Sequence, residues 1–216
     1  MEWTGYVLSA HIEPIVLNEA KRMTSLYIST KNKDKLRELR ELLGDEVEIH
    51  HPGDQDEDVE EIGSTLWENA LLKAEEGFRR TGMLSIADDT GLEVDALNGE
   101  PGVYSSRYAG ADATYQDNVD KMLRELNGVE AASRKARFSS VICCVREGDE
   151  PRRFDGVLEG TIIEQARGYN GFGYDPIFVP ESDTRTLAEL SAEEKNRISH
   201  RGRALRAFAQ WWRTQV

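Results

Sequence analysis

The sequence predicts an α/β fold around a mixed β-sheet, and two observations carry that prediction. Near the start, the apolar stretch "SLYIST" is followed by "KDKLRELRELLG", whose leucines recur at helical spacing until Gly44. Later, "ARFSSVICCVRE" and "RRFDGVLEGTII" have the patterns of two strands and are joined by the turn "GDEP". A strand followed by a helix is typical of α/β proteins.

Further elements lie between these segments and after them. "VEIHHP" is a short second strand, and the acidic loop "GDQDEDVEEIG" leads into a helix at Thr65, where Thr65 and Glu68 are placed as a capping box. Gly82 ends that helix, and "MLSIA" is the next strand. Similar capping patterns predict a helix at Thr114 and a helical C-terminus from Ser191.

The composition is that of an ordinary folded domain. Of 216 residues, 39% are hydrophobic and 31% are charged. The 27 basic and 40 acidic residues give a net charge of −13, which repels a polyanionic backbone over most of the surface. DNA and RNA polymers are therefore poor partners, whereas a small anion can bind where a basic cluster or a metal ion overrides the global field.

The sequence indicates a cytoplasmic protein without a membrane segment. Its longest apolar window, near "SSVICCVREG", is far shorter than the roughly 20 residues of a membrane helix. No secretory signal pattern is present. Cys143 and Cys144 are adjacent in a strand pattern, which suits neither a disulfide framework nor a metal spacing. We therefore expect a reduced, cytoplasmic protein.

Three lysines, Lys31, Lys33 and Lys35, crowd the junction between the first strand and the first helix. The positive end of the helix dipole disfavours cations there, so a bound anion would resolve the conflict. Free N–H groups at the helix start, with Thr30 and Asn32 as polar donors, can form a phosphate site. The alternative is that the lysines simply point into solvent.

Two adjacent aspartates, Asp88 and Asp89, follow the strand "MLSIA". The carboxyl ends of strands are where ligand sites lie in α/β proteins. Two carboxylates forced together raise each other's pKa unless a cation relieves them, and Mg²⁺ is the natural oxygen-liganded cation. The alternative is that Asp88 caps a turn through its side chain and Asp89 is solvated.

A second acidic pair, Glu60 and Glu61, precedes the helix that carries Asn69 and Lys73. These two residues are four positions apart and therefore share one face of that helix. Together with the aspartates, the acidic pair and the lysine predict a metal–phosphate site.

Two segments near the C-terminus suit recognition of a planar base. "GYNGFGYDPIF" places Phe172 and Tyr174 among glycines, where a close backbone and aromatic faces favour stacking. A hydrophobic plug under a loop is the alternative for these aromatics. "EEKNRISHRGRAL" then sets Lys195 and Ser199 four residues apart on a predicted helix, directly before His200 and Arg201.

Taken in this order, the segments closely resemble the inosine triphosphate pyrophosphatase family, whose members hydrolyse dITP, ITP and XTP to monophosphates. The resemblance covers residues 25–213, and its most specific parts are "ENALLKA", "IADDTGLEVDALNGEPGVYSSRYAG", "GFGYDPIF" and "EEKNRISHRG". It implies an elongated mixed sheet flanked by helices, with two lobes around a central nucleotide cleft, and usually a homodimer. Residues 25–216 would form this single two-lobed catalytic domain, and residues 1–24 an extension of unassigned role.

The resemblance also implies roles for individual residues. Asp89 matches the general base and a metal ligand, Glu61 matches the metal-binding glutamate with Glu60 beside it, and Lys73 matches the catalytic lysine. The implied cofactor is Mg²⁺, with one or more ions per active site. The chain departs from the family at Lys31, where glycine is usual, and this adds charge near the phosphates. The family's phosphate-binding motif matches Thr30, Asn32 and Lys35. Taken together, the patterns and the resemblance predict that the substrate is bound by Thr30, Lys31, Asn32, Lys33, Asp34, Lys35, Thr90, Phe172, Gly173, Tyr174, Asp175, Lys195, Ser199, His200 and Arg201.

The sequence therefore predicts a hydrolase: a Mg-dependent pyrophosphatase that acts on non-standard purine nucleoside triphosphates and cleanses the nucleotide pool. The expected partners are this substrate and a second copy of the chain, with neither a nucleic acid polymer nor a membrane. Two alternatives use the same residues. One is a phosphatase that releases the terminal phosphate, and the other is a nucleotide-binding sensor without turnover.

Overall fold

A computed structural model describes residues 24–44 and 47–214. They form one seven-stranded mixed sheet with helices on both faces, which confirms the predicted fold class. The extension predicted at residues 1–24 lies outside the described residues, except for Thr24, where the first strand begins. The strands are β1 (Thr24–Ile28), β2 (Val47–His50), β3 (Ser85–Val94), β4 (Pro101–Gly102), β5 (Lys135–Val145), β6 (Arg152–Ile162) and β7 (Phe178–Pro180); the helices are α1 (Lys33–Leu43), α2 (Leu66–Thr81), α3 (Tyr115–Glu125), α4 (Ala192–Ile198) and α5 (His200–Trp212).

The strand order is β2-β1-β3-β5-β6-β7, with β4 beside β3. β1 runs parallel to β2 and β3, whereas the remaining neighbours are antiparallel. The long strands β3, β5 and β6 pair along almost their whole length, from Ser85↔Val145 to Val94↔Ala136 in the first of these pairs. This continuous pairing makes the three strands the centre of the molecule.

Several helix ends lie at capping residues that the sequence analysis identified. Capping boxes are formed at Thr65, Thr114 and Ser191, where each side-chain oxygen accepts the backbone N–H three residues later. Gly44 and Gly82 end α1 and α2 with φ angles of 78° and 68°, a backbone conformation that favours glycine.

Successive residues of β3 face different helices, because side chains alternate across a strand. Ile86 belongs to an apolar cluster with Leu39 of α1 and Phe208 of α5. Ala87 belongs to another, with Ala70 and Ala74 of α2. Helices α1 and α5 therefore cover one face of the sheet and α2 covers the other.

The sequence analysis expected β3 to end before the two aspartates. The structure shows that this prediction is wrong, because the strand includes both of them. The strand continues to Val94, because β5 pairs with it beyond that point, including Asp88↔Ile142 and Asp89↔Val141. The two carboxylates are therefore in the middle of a strand and point to opposite faces of the sheet.

The helical C-terminus predicted from Ser191 is two helices rather than one. Ser199 separates α4 from α5 with an extended backbone, at φ −62° and ψ 154°. The prediction that Lys195 and Ser199 lie on one helical face is therefore wrong. Ser199 instead accepts the Gly202 N–H and caps α5.

Helix α5 lies unusually close to the sheet at its N-terminal end. A Cβ atom at Gly156 of β6 would lie 2.0 Å from the carbonyl oxygen of His200 and 2.6 Å from the backbone nitrogen of Ala204. Glycine at this position lets the first turn of α5 reach β3. Separately, in the described part of the chain no helix has the length and apolarity needed to cross a membrane.

Candidate active site

A cavity of about 670 Å³ lies against one edge of β3. β1 pairs with β3 only as far as Ile28↔Ile86, after which the chain turns into α1. On the same side, β4 meets β3 only at Leu92 and Glu93. Between these points, residues 88–91 pair with β5 on one side but have no strand on the other side among the described residues. Asp89 and Thr90 line the cavity at this gap.

The structure brings all but three of the predicted site residues to the wall of this cavity. Of the three, Lys33 is exposed on α1. Asp34 pairs with Arg37 at 2.8 Å. Ser199 caps α5. The predicted residues that line the cavity are Thr30, Lys31, Asn32, Lys35, Glu60, Glu61, Lys73, Asp89, Thr90, Phe172, Gly173, Tyr174, Asp175, Lys195, His200 and Arg201.

At one end of the cavity, the ammonium group of Lys73 lies between two carboxylates. Its Nζ is 2.7 Å from Oε1 of Glu61 and 2.8 Å from Oδ1 of Asp89. It also donates to the carbonyl oxygen of Asp88 at 3.1 Å. Asn69, one turn before Lys73 on α2, donates to Oδ2 of Asp89 at 3.4 Å. Helix α2 therefore orients Asp89 through two side chains on the face that the sequence analysis identified.

Burial and charge set the protonation of this cluster. Burial raises the pKa of Asp89, and the charge of Glu61 adds to the effect against the opposing lysines. Burial also acts on Glu61, but the charge of Lys73 outweighs it and lowers the pKa of that carboxyl. Burial would lower the pKa of Lys73, yet the two carboxylates prevail and raise it. The lysine is therefore a permanent cation, and Asp89 is the more basic of the two acids.

Asp88 lies on the opposite face of β3 in a different environment. Its Oδ2 is 2.8 Å from Nζ of Lys35 and 3.2 Å from Nη2 of Arg201. Its Oδ1 accepts a hydrogen bond from the Ser140 hydroxyl. Burial alone would raise its pKa, but the charges of Arg201 and Lys35 hold the pKa well below the usual range. The pKa values of the two neighbouring aspartates are therefore shifted in opposite directions. Asp88 is a fixed anion, whereas Asp89 holds a proton more readily.

A buried ion network extends from Asp88 to the other end of the cavity. Arg201 pairs with Asp88 and also with Glu38 of α1, which is 7% exposed. Nζ of Lys195 is 2.7 Å from Glu38 and 2.7 Å from Asp175. Arg201 and Lys195 are therefore held in place by carboxylates of the protein, which fixes both side chains.

At that end, Phe172 is half-buried with cations over its ring. Nζ of Lys195 lies 4.6 Å from the ring centroid and the guanidinium carbon of Arg201 lies 5.5 Å from it. Tyr174 is buried, and its hydroxyl donates to the carbonyl oxygen of Ser105 at 2.9 Å. Phe172 thus has the accessible ring that the sequence analysis expected of both aromatics.

His200 is buried and neutral. Burial and the neighbouring charges of Arg201 and Lys195 lower its pKa well below the usual value. Its ring stacks on Phe138, with centroids 4.6 Å apart and planes inclined by 13°. A neutral imidazole carries a single N–H donor.

The acidic loop of residues 53–62 forms one wall of the cavity and is held mainly by cations from other elements. Nζ of Lys31 lies 3.1 Å from Asp58 and also donates to the carbonyl oxygen of Asp56. Arg80 donates to the carbonyl oxygen of Glu57 at 3.1 Å. Arg107 pairs with Glu61 at 3.1 Å. The Lys31 ammonium, predicted to meet phosphate, is thus bonded to this loop.

The sequence analysis missed several residues of this site. Arg107 lies within the quoted motif "GVYSSRYAG", so the motif was available although no role was assigned to it. Glu38 lies one turn after Lys35 and has the sequence pattern of a solvated helix residue. Tyr115 and Phe138 have no distinguishing signal, because only the folded chain brings their rings to the cavity.

Replacing Glu38 with glutamine is expected to lower the free energy of unfolding by about 3 kcal/mol near neutral pH, since two buried cations lose a carboxylate. Burial tends to raise the pKa of Glu38, but Arg201 and Lys195 hold it below its ordinary 4.5. Its stabilisation is therefore complete above that pH and is lost as the pH falls through the folded-state pKa. Urea unfolding near neutral pH and at about pH 3 should show the gap between wild type and variant narrowing in acid.

Glu41→Gln is the matched control on the same helix. Glu41 is exposed and accepts a hydrogen bond from Asn196 at 2.9 Å, which glutamine can also accept. We expect a change within about 0.5 kcal/mol. Equal losses in the two variants would contradict the assignment of the stabilisation to the buried network.

Comparison with known proteins is consistent with these observations. The model of the Ham1 family matches residues 26–211. A protein of Bacillus cereus named dITP/XTP pyrophosphatase is 51% identical over 195 residues, which is 88% of this chain and 95% of the relative.

Two solved structures are also similar. The Staphylococcus aureus Ham1 protein has a TM-score of 0.80 at 37% identity, and covers 89% of this chain and 100% of its own. A HAM1 protein from Coxiella burnetii has a TM-score of 0.79 at 44% identity, and covers 90% and 100%. Sequence and fold agree over most of the chain, and the protein described here therefore belongs to the Ham1 family.

Proposed function

We propose that this protein hydrolyses non-standard purine nucleoside triphosphates, namely dITP, ITP and XTP, to the monophosphate and pyrophosphate, and so removes them from the nucleotide pool. Relatives that are about half identical over most of their length carry the name dITP/XTP pyrophosphatase. The cavity has cationic and acidic groups at one end and an accessible aromatic ring at the other, as a nucleotide requires.

The observation that carries the proposal is the Lys73 ammonium held between Glu61 and Asp89. A triphosphate needs positive charge where its leaving group departs, and its attacking water needs a base. Lys73 supplies the first and Asp89 the second, within one bonded cluster. Without a bound metal ion, burial raises the pKa of Asp89, which makes this carboxylate a better proton acceptor than an ordinary aspartate.

The residues at this end fit Mg²⁺. Among residues 24–44 and 47–214, no group of three or more acidic, His or Cys side chains could hold a metal on its own. Mg²⁺, however, is usually bound by one or two carboxylates together with substrate phosphates and water. Glu61 and Asp89 supply two such carboxylates, and the exposed Glu60 lies beside them on the wall. When bound, the ion would neutralise charge on the phosphate oxygens.

In the proposed mechanism, water attacks the α-phosphorus of the substrate. The bond between the α-phosphorus and the oxygen that bridges to the β-phosphate breaks, and pyrophosphate leaves with the electron pair. Asp89 accepts the proton of the water, while Asn69 fixes the orientation of its carboxylate. Lys73 and Lys35, both bonded to the carbonyl oxygen of Asp88, stabilise the phosphate charge.

Selectivity for the base follows from donors at the other end of the cavity. Lys195 and Arg201 lie over the ring of Phe172, on which the base stacks, and neutral His200 lines the same cavity. Hypoxanthine and xanthine have an oxygen acceptor at position 6, whereas adenine has an amino donor. A donor facing a donor leaves buried polar groups unpaired, at a cost of about 1–3 kcal/mol each.

Incubation with dITP, XTP or dATP and Mg²⁺, followed by quantification of all phosphate products, tests the function. We expect monophosphate and pyrophosphate in equal amounts from dITP and XTP, and a rate for dATP at least about tenfold lower. Removal of Mg²⁺ with a chelator should stop the reaction, and added Mg²⁺ should restore it. Inorganic phosphate released directly would identify a terminal phosphatase, and nucleotide binding without any product would identify a sensor.

Asp89→Asn is expected to reduce the rate of pyrophosphate release by about 100-fold or more, because it removes the base. Its free energy of unfolding should change little, since burial already disfavours the charge of Asp89. Asp88→Asn provides the contrast: it leaves Lys35 and Arg201 short of a buried carboxylate, at a cost of about 3–5 kcal/mol. Rate measurements paired with urea unfolding separate the two, and an Asp89→Asn protein with the wild-type rate would refute the assignment.

The proposal includes the state of the protein in the cell: a homodimer in the cytoplasm, with residues 25–216 as one two-lobed catalytic domain. Support for the dimer comes from a groove of about 1130 Å³ over β3, β5 and β6, which includes Tyr104 and Val157, exposed by 58% and 39%. The free, buried thiols of Cys143 and Cys144 suit a reducing compartment. Sedimentation should give twice the chain mass, and Val157→Arg should give a monomer; a wild-type monomer would exclude the dimer.

A further inference from the structure

Tyr115 lies in the cavity of the candidate active site, and its place at the start of α3 does not explain why the residue is a tyrosine. It is the first residue of α3, directly after the cap Thr114, and its side chain lines the cavity. It is 43% exposed and lies outside the apolar core clusters of the described residues. A helix start does not need a large aromatic residue, so local folding does not account for it.

The side chain contacts both ends of the predicted nucleotide site. Its ring lies 5.7 Å from that of Phe172, centroid to centroid, with the planes inclined by 39°. Its hydroxyl accepts a hydrogen bond from Nδ2 of Asn32 at 3.3 Å and donates to Oδ2 of Asp34 at 3.2 Å. Tyr115 therefore bridges the loop predicted to bind phosphate and the loop predicted to bind the base.

This position is where the sugar of a nucleotide must lie. If the phosphates are at Lys35 and Lys73 and the base is at Phe172, the ribose spans the distance between them. Tyr115 contacts residues on both sides of that span. Aromatic rings bury a large apolar area and favour tilted or offset contacts with other planar groups.

The hydroxyl of Tyr115 also accepts a hydrogen bond from the side-chain amide of Asn32, the residue that caps α1. Oδ1 of Asn32 accepts the backbone N–H groups of Asp34 and Lys35 at 3.0 Å each, which caps α1. Its amide nitrogen then points to Tyr115. The bonds of the phenol are long, at 3.2 and 3.3 Å, so the ring rather than the hydroxyl is the stronger part of the arrangement.

We propose that Tyr115 is a substrate-contacting residue, whose ring forms one aromatic wall with Phe172 against which the ribose and the inner edge of the purine lie. This inference rests on the proposed function, because it needs a purine nucleotide in the cavity. It adds a specificity contact between the phosphate end and the base end, made by a residue outside the motifs that predicted the site.

The test compares Tyr115→Ala, Tyr115→Phe and Tyr169→Ala with the wild type. Tyr169 is a fully exposed tyrosine in the same loop as Phe172 and does not line the cavity, which makes it the matched control. Kinetics with dITP are combined with calorimetric binding of the two products, dIMP and pyrophosphate, each measured alone. dIMP carries the sugar and base, whereas pyrophosphate engages only the phosphate end.

For Tyr115→Ala we expect KM for dITP to rise about tenfold with kcat within about twofold, and dIMP binding to weaken about tenfold, as expected for loss of one stacking contact. Pyrophosphate binding should not change. Tyr115→Phe should stay within about threefold of the wild type, because it keeps the ring. Tyr169→Ala should behave as the wild type. Alanine is a good helix former at this half-exposed position, so the variant should fold.

Three results would overturn the inference. An unchanged KM and unchanged dIMP binding would show that the ring does not touch the nucleotide. Equal weakening of dIMP and pyrophosphate binding would show a structural role for Tyr115. A loss in Tyr115→Phe as large as that in Tyr115→Ala would assign the effect to the hydroxyl. A wild type that binds dIMP but releases no pyrophosphate from dITP would refute the proposed function, while the dIMP arm would still test Tyr115.

Discussion

The geometry of the candidate active site depends on the ion pair between Asp88 and Arg201, which are both almost fully buried. Arg201 is the largest fully buried side chain among the described residues, and it joins β3 to α5. Through Glu38 the same network reaches α1, and through Lys195 it reaches the turn that carries Phe172. A charge of this kind is expensive to bury without partners, so its partners must all be in place together. The relative positions of five chain segments, β3, α1, α4, α5 and the turn that carries Phe172, are thereby set by charge as well as by apolar packing.

The alternation of side chains along β3 explains how two adjacent aspartates can have different roles. Asp88 faces α1 and α5, where cations hold its negative charge, whereas Asp89 faces α2 and the open gap in the sheet. One residue therefore serves the structure and the next is available for chemistry. The gap exists because β1 leaves the sheet early. Beyond that point, β3 is paired with β5 on one side and is an open edge on the other.

The sequence predicted the fold class, the capping boxes of three helices and about half of the residues that line the cavity. Those signals are local. The spacing of leucines in α1, the Thr65 capping box and the motif around Asp89 can be recognised in the sequence without knowledge of the fold. The extent of β3 was not, because polar residues such as Asp88 and Asp89 favour a turn until the partner strand β5 is known. Glu38 and Tyr115 were missed for a related reason. Their environments are made largely by residues more than 50 positions away, which no local pattern encodes.

The acidic wall of residues 53–62 changes how affinity in this site should be understood. Its position depends on Lys31, Arg80 and Arg107, which neutralise or cap it from three other elements. A triphosphate bound at this end, as proposed above, meets cations that already have anionic partners. Its binding free energy is then the difference between two sets of ion pairs, and the wall acts as a tethered competitor of the ligand. In such a site, added salt weakens both sets at once, so the net effect of ionic strength on binding is smaller than the number of cations suggests.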